Sequence, residues 1–344
     1  MKPPRTTYLI TRVHGLRTHL VKREDMIAMI KARDFSEVLN ILLKTDYSRQ
    51  LSMTSEKDLD AALLEQVFLK VLVERAYFIL KIAPPKVHEL LLEFFRRFEV
   101  ENLKRIIRSK HMGETIDASS LIPLGREHTV INFSALLAAK DVAEVVDLLK
   151  ETVYSSLSER LKTYEDCKTP LVLEMSLDKF YYSRLWEKFC ETLSEKEVVK
   201  LLKTEIELKN LLLILGMKTR DMNPNLIKES VVSLGDIDYE KKLSIVIKGK
   251  IEDAPDILRT EPHRKMMREA IDLYRSGGIL EIDRLLNSHR YKHVLGALKR
   301  HKYDIGFVLL YIYLCEFEAA NLVAIALGKQ LGVGEEKLRE LVSV

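Results

Sequence analysis

The sequence predicts an all-α protein built from internal repeats, and three observations carry that prediction. Apolar residues recur at helical spacing along nearly the whole chain: Met26, Ile27 and Ile30, then Val38, Leu39, Leu42 and Leu43, then Leu90, Leu91, Phe94, Phe95 and Phe98. Strand-like alternation is nearly absent. The interruptions are short, namely Pro84-Pro85, the stretch around Pro123 and Gly125, Thr169-Pro170, Asn223-Pro224-Asn225, Gly235 and Gly277-Gly278. Roughly fifteen to twenty helices of ordinary length, joined by such turns, are expected.

At about 150 residues per domain, 344 residues make two or three compact units. Hydrophobic residues form 47% of the chain and charged residues 31%, with 13 Gly and 9 Pro, a globular composition rather than a disordered or collagenous one. The net charge of +4 comes from interspersed signs, so no polybasic arm argues for nucleic acid or lipid. Cys167, Cys190 and Cys315 lie far apart, which supports neither a disulfide framework nor a thiolate metal site and makes a reducing compartment the expectation. MKPPRTTYLITRV lacks the apolar run of a secretory signal, so export is not expected. Phe307 to Leu327 is apolar enough to resemble a membrane span. It carries Glu316, Glu318 and Asn321 near its middle, where a carboxylate costs about 2.5–3.5 kcal/mol on insertion, and a buried core helix is the better reading.

Two motifs repeat. The segment from Ala32 to Tyr47 (ARDFSEVLNILLKTDY) returns from Ala139 to Tyr154 (AKDVAEVVDLLKETVY), with identities at Ala, Asp, Glu, Val, Leu, Thr and Tyr. A drifted third copy keeps Glu252, Leu258 and Thr260, with Pro255 breaking the pattern. The second motif is Glu99-x-x-Asn102-Leu103-x-x-Ile106-x-x-x-Lys110. It returns as Glu207, Asn210, Leu211, Ile214 and Lys218, and again as Glu318, Asn321, Leu322, Ile325 and Lys329. Order and period agree, so the chain reads as three related helical units of about 110 residues, at 1–125, 126–235 and 236–344, able to close into a pseudo-threefold body.

On a helix, Asn102, Ile106 and Lys110 stand i, i+4, i+8 with Glu99 one turn earlier, all on one stripe. Asn and Glu are then expected to satisfy buried polar groups, Ile to fill core, and Lys to offset the macrodipole near the helix end before Gly113 or Gly332. The alternative is three equivalent stripes that present alternating charge to a partner on a common axis.

Catalysis finds little support. His289 and His293 stand i, i+4 with Glu281 and Asp283 upstream, but the HExxH order is missing. No Gly-rich phosphate loop occurs, and Gly277-Gly278 reads as a helix stop. Lys104, Arg105, Arg108 and Lys110, like Lys299, Arg300 and Lys302, are flanked by carboxylates and lack interleaved aromatics, so nucleic acid is not expected.

Several ordered motifs carry a family resemblance over essentially the whole chain. They are Tyr8-x-x-Thr11-Arg12-Val13-x-Gly15-Leu16-Arg17, Leu42-x-x-Thr45-x-Tyr47, the Glu99 to Lys110 helix with Arg108, and Leu121-Ile-Pro123-Leu-Gly125. Leu177-Asp178-x-x-Tyr181 and the closing Tyr313 to Lys329 helix with Gly328 complete the set. The chain resembles the C subunit of archaeal and bacterial A/V-type rotary ATP synthases, related to the d subunit of the eukaryotic vacuolar ATPase. It departs from the family at Leu215-Gly216 in copy two and in an Ala-rich third copy, so an arginine contact like that of Arg108 is not expected there.

The resemblance implies a funnel of three all-α domains on the cytoplasmic face of the membrane, peripheral to it. Its implied partners are the rotor shaft subunits and the membrane proteolipid ring, between which it passes torque for ATP synthesis or hydrolysis coupled to proton or sodium transport. No reaction, cofactor, metal, nucleic acid or small-molecule substrate of its own is implied. Candidate partner-binding or structural residues are Arg12, Arg17, Glu99, Asn102, Arg108, Lys110, Glu207, Asn210, Lys218, Glu318, Asn321 and Lys329. A helical-repeat scaffold of a soluble complex is the alternative reading of the periodicity.

Overall fold

The computed structural model describes residues 5–52, 59–193, 196–218, 220–258, 260–276 and 279–343, and Gly277-Gly278 lies outside them. The described residues form seventeen α-helices, four 3₁₀ segments and no strand, as the periodicity predicts. In chain order the helices are α1 (Arg5–Arg17), α2 (Arg23–Lys31), α3 (Phe35–Leu42), α4 (Ser48–Leu51), α5 (Ala61–Ile82), α6 (Pro85–Met112), α7 (Phe133–Ala138), α8 (Val142–Leu148) and α9 (Leu161–Cys167). They continue as α10 (Leu171–Thr192), α11 (Lys196–Lys218), α12 (Pro224–Ser230), α13 (Ile237–Lys248), α14 (Glu261–Arg275), α15 (Ile279–Leu298), α16 (Ile305–Gln330) and α17 (Glu335–Leu341). The breakers fall where their chemistry requires. Pro85 opens α6 at a position whose N–H needs no partner, and Asn223 caps α12 by accepting from Asn225 N at 2.8 Å ahead of Pro224.

The chain forms two compact units, residues 1–91 with 290–344, and residues 92–289. In the first, α16 is the core helix. It packs on α5 and is flanked by α1, α2, α3 and α17. Its most apolar window is 78% buried, and Phe307, Leu310 and Ile325 are fully enclosed, so the membrane-like stretch is the centre of a folded unit. Asp304 caps it, accepting from Phe307 N at 3.3 Å. In the second unit α10 packs against α9, α11 and the 3₁₀ segment Ser155–Arg160, while α13 and α14 cover the 3₁₀ segment Ile251–Ile257.

The first repeated motif folds identically in its two strong copies. Asp34 Oδ1 accepts from Glu37 N at 2.9 Å, and Glu37 Oε2 accepts from Arg33 N at 2.7 Å. Asp141 and Glu144 repeat both bonds at 2.9 and 2.7 Å around Lys140 N. These reciprocal caps start α3 and α8. The third copy has Gly249 where the capping Asp would stand and Pro255 within the segment, so it lacks both the cap and one donor and winds as a 3₁₀ turn. A Cβ at Gly249 would lie 2.8 Å from Ile245 O, which explains why no side chain occupies that position.

Candidate functional site

The second motif places a buried asparagine at the same task three times. Asn102 Nδ2 donates to Ile122 O at 2.9 Å while its Oδ1 accepts from Ile122 N at 2.7 Å. Asn210 bridges Val232 through bonds of 2.8 and 2.8 Å, and Asn321 bridges Ser343 through bonds of 2.8 and 3.0 Å. Each amide therefore clamps backbone 20 to 22 residues further along the chain, beyond the end of its own long helix, supplying the donor and the acceptor a neighbouring strand would otherwise provide. Asn210 also donates to Tyr239 Oη at 3.0 Å. The three segments are helical, and the asparagine of each makes the same pair of backbone bonds.

The lysines also recur in role, though not in the role their position suggests. Instead of serving its own helix end, each ammonium reaches the C-terminal carbonyls of a different helix: Lys110 Nζ donates to Leu137 O of α7 at 2.8 Å, Lys218 Nζ to Gly249 O after α13 at 2.7 Å, and Lys329 Nζ to Ala32 O after α2 at 2.6 Å. A cation at the negative end of a helix satisfies orphan carbonyls and the macrodipole together.

The glutamates meet tyrosines of the first motif. Tyr47 Oη donates to Glu318 Oε1 at 2.7 Å and Tyr154 Oη donates to Glu99 Oε2 at 2.8 Å. Thr45 and Thr152 hold those tyrosines in place: each hydroxyl donates to a carbonyl three residues back and accepts from the tyrosine N–H. Glu318 is completed by Arg75 at 2.5 Å and by Val21 N at 2.6 Å, and Glu99 by Arg96 at 3.3 Å. Burial, then the neighbouring glutamate, pushes both phenols far above their ordinary range, so they remain protonated donors. Glu207 is buried as well. Nothing in either motif alone reveals this pairing; the available signal is the paired repetition of Thr-x-Tyr and of the glutamate at one period.

The remaining sequence candidates lie elsewhere. Arg12 is exposed, its guanidinium 5.4 Å from the Phe78 ring centroid, and Arg17 is exposed on α1. Arg108 forms a two-pronged pair with Glu174 at 2.8 and 2.7 Å. At the corresponding copy-two position stands Gly216, which has no side chain to make such a pair. Lys104 pairs with Asp178 at 2.5 Å and Arg105 donates to Ser120 O at 2.7 Å, so this basic cluster is committed to internal partners rather than to phosphates. The stripe as a whole is inward: Asn102 is 0% exposed and Glu99 5%. Its chemistry is that of locks between segments of one chain.

A helical repeat protein whose repeated polar residues hold its own segments together is a structural class, not a reaction centre. Known sequences define it further. The family profile of the ATP synthase (C/AC39) subunit matches residues 9–341, and the chain belongs to that family. It is 25% identical to the A-type ATP synthase C subunit of Methanocaldococcus jannaschii, over 97% of this chain and 85% of that one. It is 24% identical to the C subunit of Methanosarcina mazei over 97% and 91%, and 22% identical to that of Haloquadratum walsbyi over 97% and 96%. The chain is thus a non-catalytic subunit of an ATP synthase, a membrane-associated complex whose other subunits are its partners.

Proposed function

We propose that this protein is the central-stalk coupler of an A-type rotary ATP synthase, joining the rotor shaft to the membrane proteolipid ring on the cytoplasmic face and passing torque between them. The observation that carries this reading is the family match from residue 9 to residue 341. Three related units, at 1–125, 126–235 and 236–344 by sequence period, would stand around a pseudo-threefold axis. The buried locks support a mechanical role: torque transmission needs a body that resists twisting, and paired, hydrogen-bonded side chains inside close-packed helices give that stiffness.

Exposed Arg12 and Arg17 are proposed as partner contacts. Charged rims govern association rate and salt response more than total affinity, so shaft binding should weaken as ionic strength rises. The test is reconstitution of the complex with and without this subunit, and with Arg12→Glu and Arg17→Glu. Loss of ion pumping with ATP hydrolysis by the head intact is expected. Full pumping without the subunit overturns the assignment.

A further inference from the structure

The unit formed by residues 1–91 and 290–344 holds a cavity of about 480 Å³ between the α1–α2 turn, α15, α16 and the backbone at Ser343. Small-molecule sites span about 300–1,000 Å³, so its size suits an organic ligand. Three cations line it: Arg17, Lys22 and Arg23. All three are exposed, and none of their side chains has an ion-pair or hydrogen-bond partner among the described residues, in contrast to Arg75, Arg96, Arg108 and Arg184, each held by a carboxylate.

The carboxylate on the wall, Glu318, cannot neutralise them. Its oxygens are already taken by Tyr47 Oη at 2.7 Å, Arg75 at 2.5 Å and Val21 N at 2.6 Å. The rest of the lining includes an apolar patch. Tyr291 and Phe317, edge to face at 5.2 Å, line it together with Leu314.

Local sequence rules give Lys22 and Arg23 no structural reason to be where they are. Lys22 is the N-cap of α2 and caps nothing with its side chain, and Arg23 is the first residue of the helix. Both charges stand at the positive end of the macrodipole, where anions such as the neighbouring Glu24 and Asp25 are favoured and cations are not. Features that violate a local preference without a compensating contact mark functional positions.

We propose that this cavity binds a nucleoside polyphosphate, with the phosphates against Arg17, Lys22 and Arg23 and the base on the wall of Tyr291, Phe317 and Leu314. Three unpaired cations match a ligand of about three negative charges, since guanidinium and ammonium groups recognise phosphate oxygens directly. Inorganic phosphate would leave the apolar wall uncovered, and an uncharged nucleoside would leave the cations unpaired. The ligand class follows from the wall, independently of the coupler reading.

Calorimetric titration of the full chain with ADP, pyrophosphate, inorganic phosphate and adenosine tests it. ADP should saturate one site, with the other three probes at least about tenfold weaker. The double variant Lys22→Gln/Arg23→Gln should weaken ADP by about tenfold or more. Its thermal midpoint should hold or rise, because the change removes cations from a helix N-terminus. Hydrogen exchange of the unaltered protein gives a second reading, in which ADP should slow amides in residues 17–26 and 314–321. Absence of saturation, ADP binding no tighter than pyrophosphate, indifference to the double variant, or protection confined to other segments overturns the proposal.

Discussion

Replacing the clamp asparagines by alanine should destabilise the protein in a definite rank order. Each Asn→Ala change removes two hydrogen bonds and strands one backbone N–H and one C=O. A buried polar group left without a partner costs about 1–3 kcal/mol. Ile122 and Val232 are buried, so Asn102→Ala and Asn210→Ala should each cost about 2–6 kcal/mol, and Asn210→Ala also removes the donor to Tyr239 Oη. Ser343 is half-buried, so water can replace the lost amide there, and Asn321→Ala should cost only about 1 kcal/mol. Native-state hydrogen exchange reads the effect where it arises, on amides around Leu103 and Ile106 in α6, Leu211 and Ile214 in α11, and Leu322 and Ile325 in α16. Exchange in the first two should quicken by about 30-fold or more, and in the third by about fivefold. Equal effects at the three sites, or a cost below about 0.5 kcal/mol at Asn102, would show that the amide clamp is not what holds those segments.

Tyr47→Phe should lower stability by about 1.5–3 kcal/mol in urea unfolding, since it takes a neutral donor from the buried Glu318 carboxylate, and Tyr154→Phe should do the same at Glu99. Burial works to raise the Glu93 carboxyl, but bonds from Arg184 and Arg96 outweigh it and hold the group below its ordinary 4.5. A depressed folded value means that its stabilisation is complete above the ordinary value and is lost as pH falls from there through the folded one; Glu93→Gln should therefore flatten the acid limb of the stability profile. Burial pushes the Cys315 thiol up to about 12. At pH 8 a thiol reagent should modify exposed Cys167 and Cys190 in the folded protein while Cys315 reacts only after unfolding.

The periodicity was sufficient for the helices because nearly every one buries an apolar stripe, and it was sufficient for α16 because Glu316, Glu318 and Asn321 contradicted a membrane reading. The burial of Glu99 and Asn102 was also legible, since a polar residue locked into an apolar stripe at three equivalent places needs internal partners. The partners themselves were not. Lys110, Lys218 and Lys329 sit at the ends of long helices, so a local rule assigns each to its own dipole, yet the acceptors lie 27, 31 and 297 residues away. Periodicity describes which face of a helix turns inward and says nothing about which helix meets it. The cavity cations were invisible for the same reason: Arg17, Lys22 and Arg23 are ordinary surface residues until Tyr291, Phe317 and Ser343 are brought beside them from the far end of the chain.

That long-range closure has a kinetic consequence. Motif-one residues 139–154 meet the second motif at residue 99, within the unit of residues 92–289, but Ala32 and Tyr47 meet Lys329 and Glu318, at separations of 297 and 271 residues. Loop-closure entropy grows as (3/2)RT ln n. A permuted chain, opened between Ala83 and Pro84 with residue 344 joined to residue 1, would bring Lys329 within 15 + 32 = 47 residues of Ala32. The closure cost then falls by 0.89 × ln(297/47), about 1.6 kcal/mol, or about 15-fold in rate where closure limits folding. Trp186 lies in the unit of residues 92–289, so its fluorescence should recover at an unchanged rate. Pulse-labelled amides of α16, which report the other unit, should become protected about 15-fold sooner. If α16 is protected no faster in the permutant, closure between the chain ends is not the slow step, and that unit must instead be nucleated by the local packing of α16 on α17.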